Sequence, residues 1–435
     1  MDFSTFTRRA PYICAQCRSQ QLHLRHPRAY SSTVSIAPPP PPPPSAAVHL
    51  TTRRLISIHG PDSARFLQGL ITANLPIPQS DASANQSALS AFYAAFLTAQ
   101  GRVLHDVFIY PTMGTHWHAE MNNESSDPGF LVEVDAAETE GLMRHLKRHK
   151  LRAKLKMAVL EQGEGEVWQV WREGERWTRH GGVARTGSEQ GAGAAADERR
   201  RRWEDGWPRL TDCRGPSMGQ RLLYLPAAQA SREGRPTDLE ELEQAPLSGY
   251  TIRRYLRGVP EGQKEIARDD SLPMNCNIDL MGGIDFKKGC YVGQELTIRT
   301  HHTGVVRRRI LPVVLYPHGE DVPGKLEYNL QAAEAVEGAM GPMGEEVEME
   351  IRRDDARKRS TGKLIARVGS VGLGMCRLEQ MSDLTVSGEG SSYGPDDHFV
   401  IAAPDGEAMV GVKAFVPDWL RGRIREPKIQ RRVDT

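Results

Sequence analysis

Cys290 is the residue in this chain whose neighbours could set its chemistry. It lies between Gly289 and Gly293 and follows two lysines, Lys287 and Lys288. A free thiol titrates near pH ~8.5, and nearby cations or a helix N-terminus favour the thiolate, the form that attacks electrophiles and binds soft metals. The lysines supply the charge. Gln294 to Arg299 reads as a short helix opening just after Gly293, so its amides would supply the dipole. Glycines on both sides of the cysteine suit a tight turn or the close approach of another molecule. The bland alternative is an inert thiol packed as a small hydrophobe. His301 and His302 are imidazole candidates downstream. On an extended segment adjacent residues face opposite ways, so at most one would share the side of Cys290. Ordering a loop by hydrogen bonding is the more ordinary work for each.

Length and charge bound what surrounds this motif. At 435 residues the chain is long enough for two or three compact units. A net charge of +1 gives no support to a general nucleic-acid binder or membrane-surface protein. The most apolar run, Leu89 to Ala99, is too short to span a bilayer. Six cysteines, at 14, 17, 213, 276, 290 and 376, are too sparse for a disulfide scaffold and fit a reducing compartment. Cys14 and Cys17 form a Cys-x-x-Cys with no second pair at zinc spacing. They fall within residues 1–30, which are rich in arginine and hold one acid, Asp2, the composition of a mitochondrial presequence. A proline-rich linker over 31–47 contains seven consecutive prolines, Pro38 to Pro44, expected as an extended spacer.

The elements that must position Cys290 follow. Arg54 to Ile58 reads as a strand, and Ala64, Phe66, Leu67, Leu70 and Ile71 recur at helical spacing behind it. Phe92 to Leu97 and Val103 to Tyr110 pair as strands about a turn at Gln100-Gly101. Phe130 to Val134 adds a strand, and Asp135 stands where a cap would open a helix burying Leu142, Met143 and Leu146. That helix runs into a basic stretch, Arg144 to Lys156, either a solvated face or a surface for an acidic ligand or partner. Residues 180–205 read as a low-complexity insertion and 318–359 as a second one. Short strands from Gly362 onward suggest a small β-barrel. The expected organisation is one domain over 48–312 and a barrel domain over 313–425.

Lys288-Gly-Cys-Tyr-Val-Gly-Gln-Glu295, followed by Arg299-Thr-His-His-Thr-Gly304, resembles the signature of the folate-binding, aminomethyltransferase-like proteins of iron–sulfur cluster assembly, which include bacterial YgfZ proteins and their mitochondrial relatives. The likeness covers most of Arg54 to Phe415. It implies an α+β fold like the glycine-cleavage T protein, with two similar α/β subdomains and a C-terminal β-barrel around a central channel. It implies a mitochondrial matrix assembly factor that works with A-type iron–sulfur carrier proteins to mature [4Fe–4S] apoproteins such as aconitase-type and radical-SAM enzymes. On this resemblance Cys290 is a cluster ligand or redox-active thiol, tuned by Lys287 and Lys288, while Tyr291, Gln294 and Glu295 shape the site. Arg102 and Asp106 would line a folate-type channel suited to tetrahydrofolate. The transferases' paired aspartates align here with His105-Asp106, and their pterin-anchoring glutamate with Asn275. A [2Fe–2S] cluster wants four protein ligands and the motif offers one, so a cluster shared with a partner is the economical expectation. The rival is a folate-dependent aminomethyl or one-carbon transferase.

Overall fold

Period-two alternation divides the first strands between two cores. The computed structural model describes residues 37–75, 91–113, 115–121, 126–161, 163–172, 207–226, 235–341, 349–355, 359–387, 390–403 and 409–424. The presequence reading, with Cys14 and Cys17, and the 180–205 insertion lie outside them. Strands β1 (Ala46–His49), β2 (Arg53–His59), β3 (Phe92–Leu97), β4 (Val103–Pro111), β5 (Gly129–Asp135), β6 (Lys156–Val159), β7 (Glu166–Trp171), β8 (Arg209–Thr211) and β9 (Gln220–Tyr224) form two antiparallel sheets. One is ordered β3-β4-β5-β2-β6 and the other β1-β7-β9-β8. Ala94 and Phe96 of β3, with Val107 and Ile109 of β4, pack with Leu67, Leu142 and Leu146 of the helices Ser63–Gln68 and Thr139–Lys150. Tyr93, Ala95, Phe108 and Tyr110 face the opposite core, shared with the four-stranded sheet. Asp135 caps a single 3-10 turn, accepting from the Ala137 amide, before the long helix begins at Thr139.

The second unit is an antiparallel barrel. Strands β10 (Arg308–Pro317), β11 (Met349–Arg353), β12 (Ser360–Val368), β13 (Val371–Arg377), β14 (Phe399–Ala402) and β15 (Met409–Ala414) close in the order β10-β13-β12-β11-β14-β15. Closure removes the unpaired edges that an open sheet would present.

Three expectations change. The 318–359 stretch is not a pure insertion. It holds the helix Leu330–Met340, which buries Ala333, Val336 and Met340, and it contributes β11 to the barrel. The expected boundary at 312/313 falls inside β10, because Val313 and Val314 are barrel residues paired with β13 and β15. The proline run is not a free spacer either. Tyr328 donates to the Pro39 carbonyl at 2.5 Å and Trp171 Nε1 to that of Pro43 at 3.0 Å, and β1 starts at Ala46, inside the expected linker. Prolines lack an N–H but keep a carbonyl acceptor, so the segment docks through its oxygens.

Candidate functional site

The motif is held by the end of the first helix and by the β3–β4 turn. Asp285 N–H donates to the Thr72 carbonyl at 3.0 Å, and Val292 N–H to that of Gly69 at 3.1 Å. Lys288 Nζ donates to the carbonyls of Gln68, Ile71 and Ala73 at 2.8, 2.6 and 3.0 Å, and sits 4.9 Å from the Tyr291 ring centroid. The three donors of an ammonium match these three acceptors. Burial pulls the Lys288 pKa down to about 8, against Asp285, which raises it. Lys288, expected to tune Cys290, thus has its described hydrogen bonds to backbone carbonyls and pins the loop, and the exposed lysine next to it is Lys287.

Gly293 and Gly101 interlock. Gly293 has φ +81°, and a Cβ there would lie 2.2 Å from the Thr98 carbonyl oxygen and 2.9 Å from Leu97 Cβ. A Cβ on Gly101, at φ +82°, would lie 2.9 Å from the Gly293 carbonyl oxygen. Gly289, by contrast, has nothing within 4 Å of a built Cβ and no positive φ, so only one of the bracketing glycines is sterically required. Gly293→Ala is expected to destabilise the protein by on the order of 3 kcal/mol, from left-handed strain plus a backbone collision. Gly289→Ala is expected to stay within ~0.5 kcal/mol of wild type. Urea midpoints of the two variants check this contrast, and equal losses would contradict it.

Gly293 opens the helix Gln294–Thr303, and Gln294 Oε1 accepts from the Tyr291 amide at 3.2 Å. Tyr291 is buried, its hydroxyl pushed up to about 12 chiefly by that burial, while Glu295 is exposed. His301 and His302 lie on this helix, not on an extended segment, and His301 stacks on Phe286 with centroids 3.5 Å apart. On a helix the two imidazoles are offset by roughly 100° rather than opposed.

Cys290 itself is exposed. The other described thiols differ. Cys276 and Cys376 are fully buried, and burial pushes each up to about 12, so they are core residues. Cys213 is half-buried and donates to the Thr211 carbonyl at 3.4 Å. Among the described residues no three His, Cys, Asp or Glu side chains gather as a metal site.

The two residues expected to line a folate-type channel are not brought together in the described cavity. Arg102 is exposed and bonds the carbonyl of Asp270. Asp106 is fully buried, accepting from the Gly262 amide at 3.1 Å and pairing with Arg53 at 3.5 Å. It belongs to an ionic cluster that the sequence reading missed. Arg53 and Glu133 of the five-stranded sheet meet Arg221 of β9, Asp212 and Arg214 of the β8–β9 turn, and Arg254, Glu261 and Glu265 around the helix Leu247–Tyr255. Burial alone would raise the Glu261 carboxyl, but Arg221, Arg214, Arg254 and Arg53 hold it well below the usual carboxylate range. The cluster joins the two sheets. His105 points to the other core, where the Gln263 side chain favours its charged form without a well-aligned hydrogen bond to either ring nitrogen. Burial, then Arg268 and His145, push it down to about 3, so it is neutral. Asn275 instead lines a cavity of about 400 Å³ with Gly101, Leu272, Thr297, Thr300 and Arg307. Thr297 is buried there and its hydroxyl has no partner.

Residues 307–422 match the family model described as CAF17, C-terminal beta-barrel domain. The chain is 41% identical over 434 residues to a protein of Aspergillus oryzae named iron-sulfur cluster assembly factor IBA57 homolog, mitochondrial, covering 95% of this chain and 90% of the relative. A protein of the same name from Pyricularia oryzae is 44% identical over 381 residues, covering 86% and 84%. Among solved structures, the glycine cleavage system aminomethyltransferase T of Bartonella henselae aligns with a TM-score of 0.51 at 11% identity, covering 88% of each chain. That likeness is one of fold.

Proposed function

We propose, from the premise that this chain belongs to the IBA57 family of mitochondrial iron–sulfur cluster assembly factors, that Cys290 supplies one thiolate to a [2Fe–2S] cluster shared with a partner. The partner is an A-type carrier protein of the mitochondrial matrix, and the pair serves [4Fe–4S] apoproteins of the aconitase and radical-SAM kinds. The observation that carries this reading is the exposure of Cys290 on a loop pinned at both ends. A cluster needs four ligands, and among the described residues no three His, Cys, Asp or Glu side chains gather to hold a metal. An outward thiol on a rigid loop suits ligation completed by another polypeptide, because little ordering cost is left for the moment of association. Lys288, Gly293 and Gln294 act by holding the loop, and Lys287 is the exposed lysine nearest in sequence to the sulfur.

Tetrahydrofolate is a second proposed ligand, supported by the cavity beside Asn275. The Asn275 amide and the Thr297 hydroxyl would hold a pterin edge, and Arg307 an anionic tail. A bound folate supplies one-carbon chemistry, but the carboxylate that such chemistry needs is Asp106, which is committed to Arg53 and the Gly262 amide. The buried, neutral His105 provides no second one. The assembly reading is favoured over the transferase for that reason.

Anaerobic mixing of the protein with an A-type carrier, iron and sulfide is expected to give the visible absorption of a thiolate-ligated cluster and a stable heterocomplex. Cys290→Ser is expected to remove at least ~90% of both, as loss of one of four ligands would. In cells the same variant is expected to lower aconitase activity. Unchanged spectra and unchanged aconitase would leave the thiol without this role, and aminomethyl turnover with tetrahydrofolate would favour the transferase.

A further inference from the structure

We infer that the tip formed by the end of the helix Thr139–Lys150, the turn after it and the start of β6 docks on an anionic lipid surface. Between residues 140 and 156 the chain carries seven cations against one acid, Glu140, in a protein whose net charge is +1. Arg144, Lys147, Arg148, Arg152, Lys154 and Lys156 are exposed. None of them forms an ion pair among the described residues. Asp62, the acid that reaches this turn, is committed to the Lys154 amide at 2.7 Å. Arg144, Lys147, Arg148 and Leu151 recur at three- and four-residue spacing, opposite the buried Leu142, Met143 and Leu146.

Leu151 distinguishes this tip from a merely solvated basic face. It is 87% exposed, far more than any other large apolar side chain described, and it ends the helix at φ 44°. A leucine at φ 44° is an outlier for which glycine would be the relaxed choice. The fold thus presents one outward apolar side chain on a turn whose exposed neighbours along the chain, Arg148, Arg152 and Lys154, are cations. That layering matches a bilayer interface, with phosphates at the height of the ammonium and guanidinium groups and acyl chain beneath the leucine. Nucleic acid fits less well, since the tip's two rings, His145 and His149, pack on each other with centroids 4.4 Å apart and are half-buried, and a projecting leucine gains nothing from phosphates. An acidic protein would need a socket for Leu151 as well as a matching charge array.

The test is flotation of the full chain with vesicles of phosphatidylcholine alone and of phosphatidylcholine with phosphatidylglycerol. Flotation is expected with the anionic vesicles only, falling as salt is raised. Leu151→Ser is expected to lower partitioning roughly tenfold, the loss of one buried leucine side chain. The double variant Arg148→Gln/Arg152→Gln is expected to lower it roughly twenty-five-fold, about fivefold per cation. All three positions are exposed, so circular dichroism and urea midpoints should match wild type and keep the comparison clean. Absence of flotation on anionic vesicles overturns the inference. So does flotation that Leu151→Ser leaves unchanged, or retention on polyglutamate or duplex RNA that exceeds retention on lipid.

Discussion

Glu261→Leu is expected to lower the free energy of unfolding by about 3–5 kcal/mol, the largest loss foreseen for any single change in this protein. Glu261, buried, accepts from Tyr250 at 2.8 Å, pairs with Arg214 at 2.9 Å and bonds Arg221. Removing its carboxylate strands guanidinium groups that cannot shed their charge. Arg214 and Arg221 are both held above the ordinary arginine range by their acidic neighbours, despite burial. Arg221→Met alone should cost a similar amount, since Glu133 and Glu261 would lose a counter-charge. The double variant should recover part of the loss, because each change removes the group that the other leaves unpaired. Urea denaturation of the three variants gives the coupling directly. A loss below ~1 kcal/mol for Glu261→Leu would show that water reaches the cluster in solution and screens it.

Acid is expected to weaken the fold well before its carboxylates titrate. His105, driven down to about 3 by burial, Arg268 and His145, remains neutral in the native state. His145, at about 4, is lowered by burial and then by His149, Arg268 and Arg148. In the unfolded chain both return to the ordinary histidine value of 6.5. Between these limits the unfolded chain binds more protons than the native protein, so stability rises with pH across the window and is lost as pH falls below 6.5. At pH 5 the native form of His105 is still unprotonated, which makes its contribution to the loss on the order of 2 kcal/mol; half-buried His145 adds less. His105→Leu removes two buried ring nitrogens that lack well-aligned hydrogen bonds, at the loss of the Gln263 interaction. It is expected to be at least as stable as wild type at pH 7 and to lose about half of the difference between pH 7 and pH 5. Urea midpoints at the two pH values measure it. An unchanged slope in the variant would place the titration elsewhere.

The elements that carry apolar periodicity were legible in the sequence. Arg54 to Ile58, Phe92 to Leu97 and Val103 to Tyr110 are strands, and the helix after Asp135 buries Leu142, Met143 and Leu146. Cys290 and its paired neighbours were legible as a motif, but their geometry was not. Nothing in Lys287-Lys288 tells which lysine turns inward, because the choice is made by three carbonyls more than two hundred positions away in the chain. Gly289 and Gly293 look equivalent as letters, and only the packing of the β3–β4 turn separates them. The ionic cluster was hidden for the same reason. Arg53, Glu133 and Arg221 each occupy a strand position that period two assigns to an interior face, where a charge reads as an interruption until its counter-charge arrives from another sheet. Strand β11 is hidden in the sequence because its acidic flank gives 318–359 the composition of a loop. Within β11 itself Met349 and Ile351 alternate inward.

The barrel's seam imposes an order on the protein's production. The strand that begins the ring, β10, must receive β15 on its far side, setting Val313 against Ala414. A chain emerging from a ribosome or a translocation pore exposes the first of these residues long before the second. The two α/β sheets can therefore consolidate during delivery, whereas ring closure is a post-delivery event of long sequence separation and correspondingly slow. Until the last strand arrives, β10 and β14 each show a bare edge, and that interval is when a holding chaperone would have the most to grip.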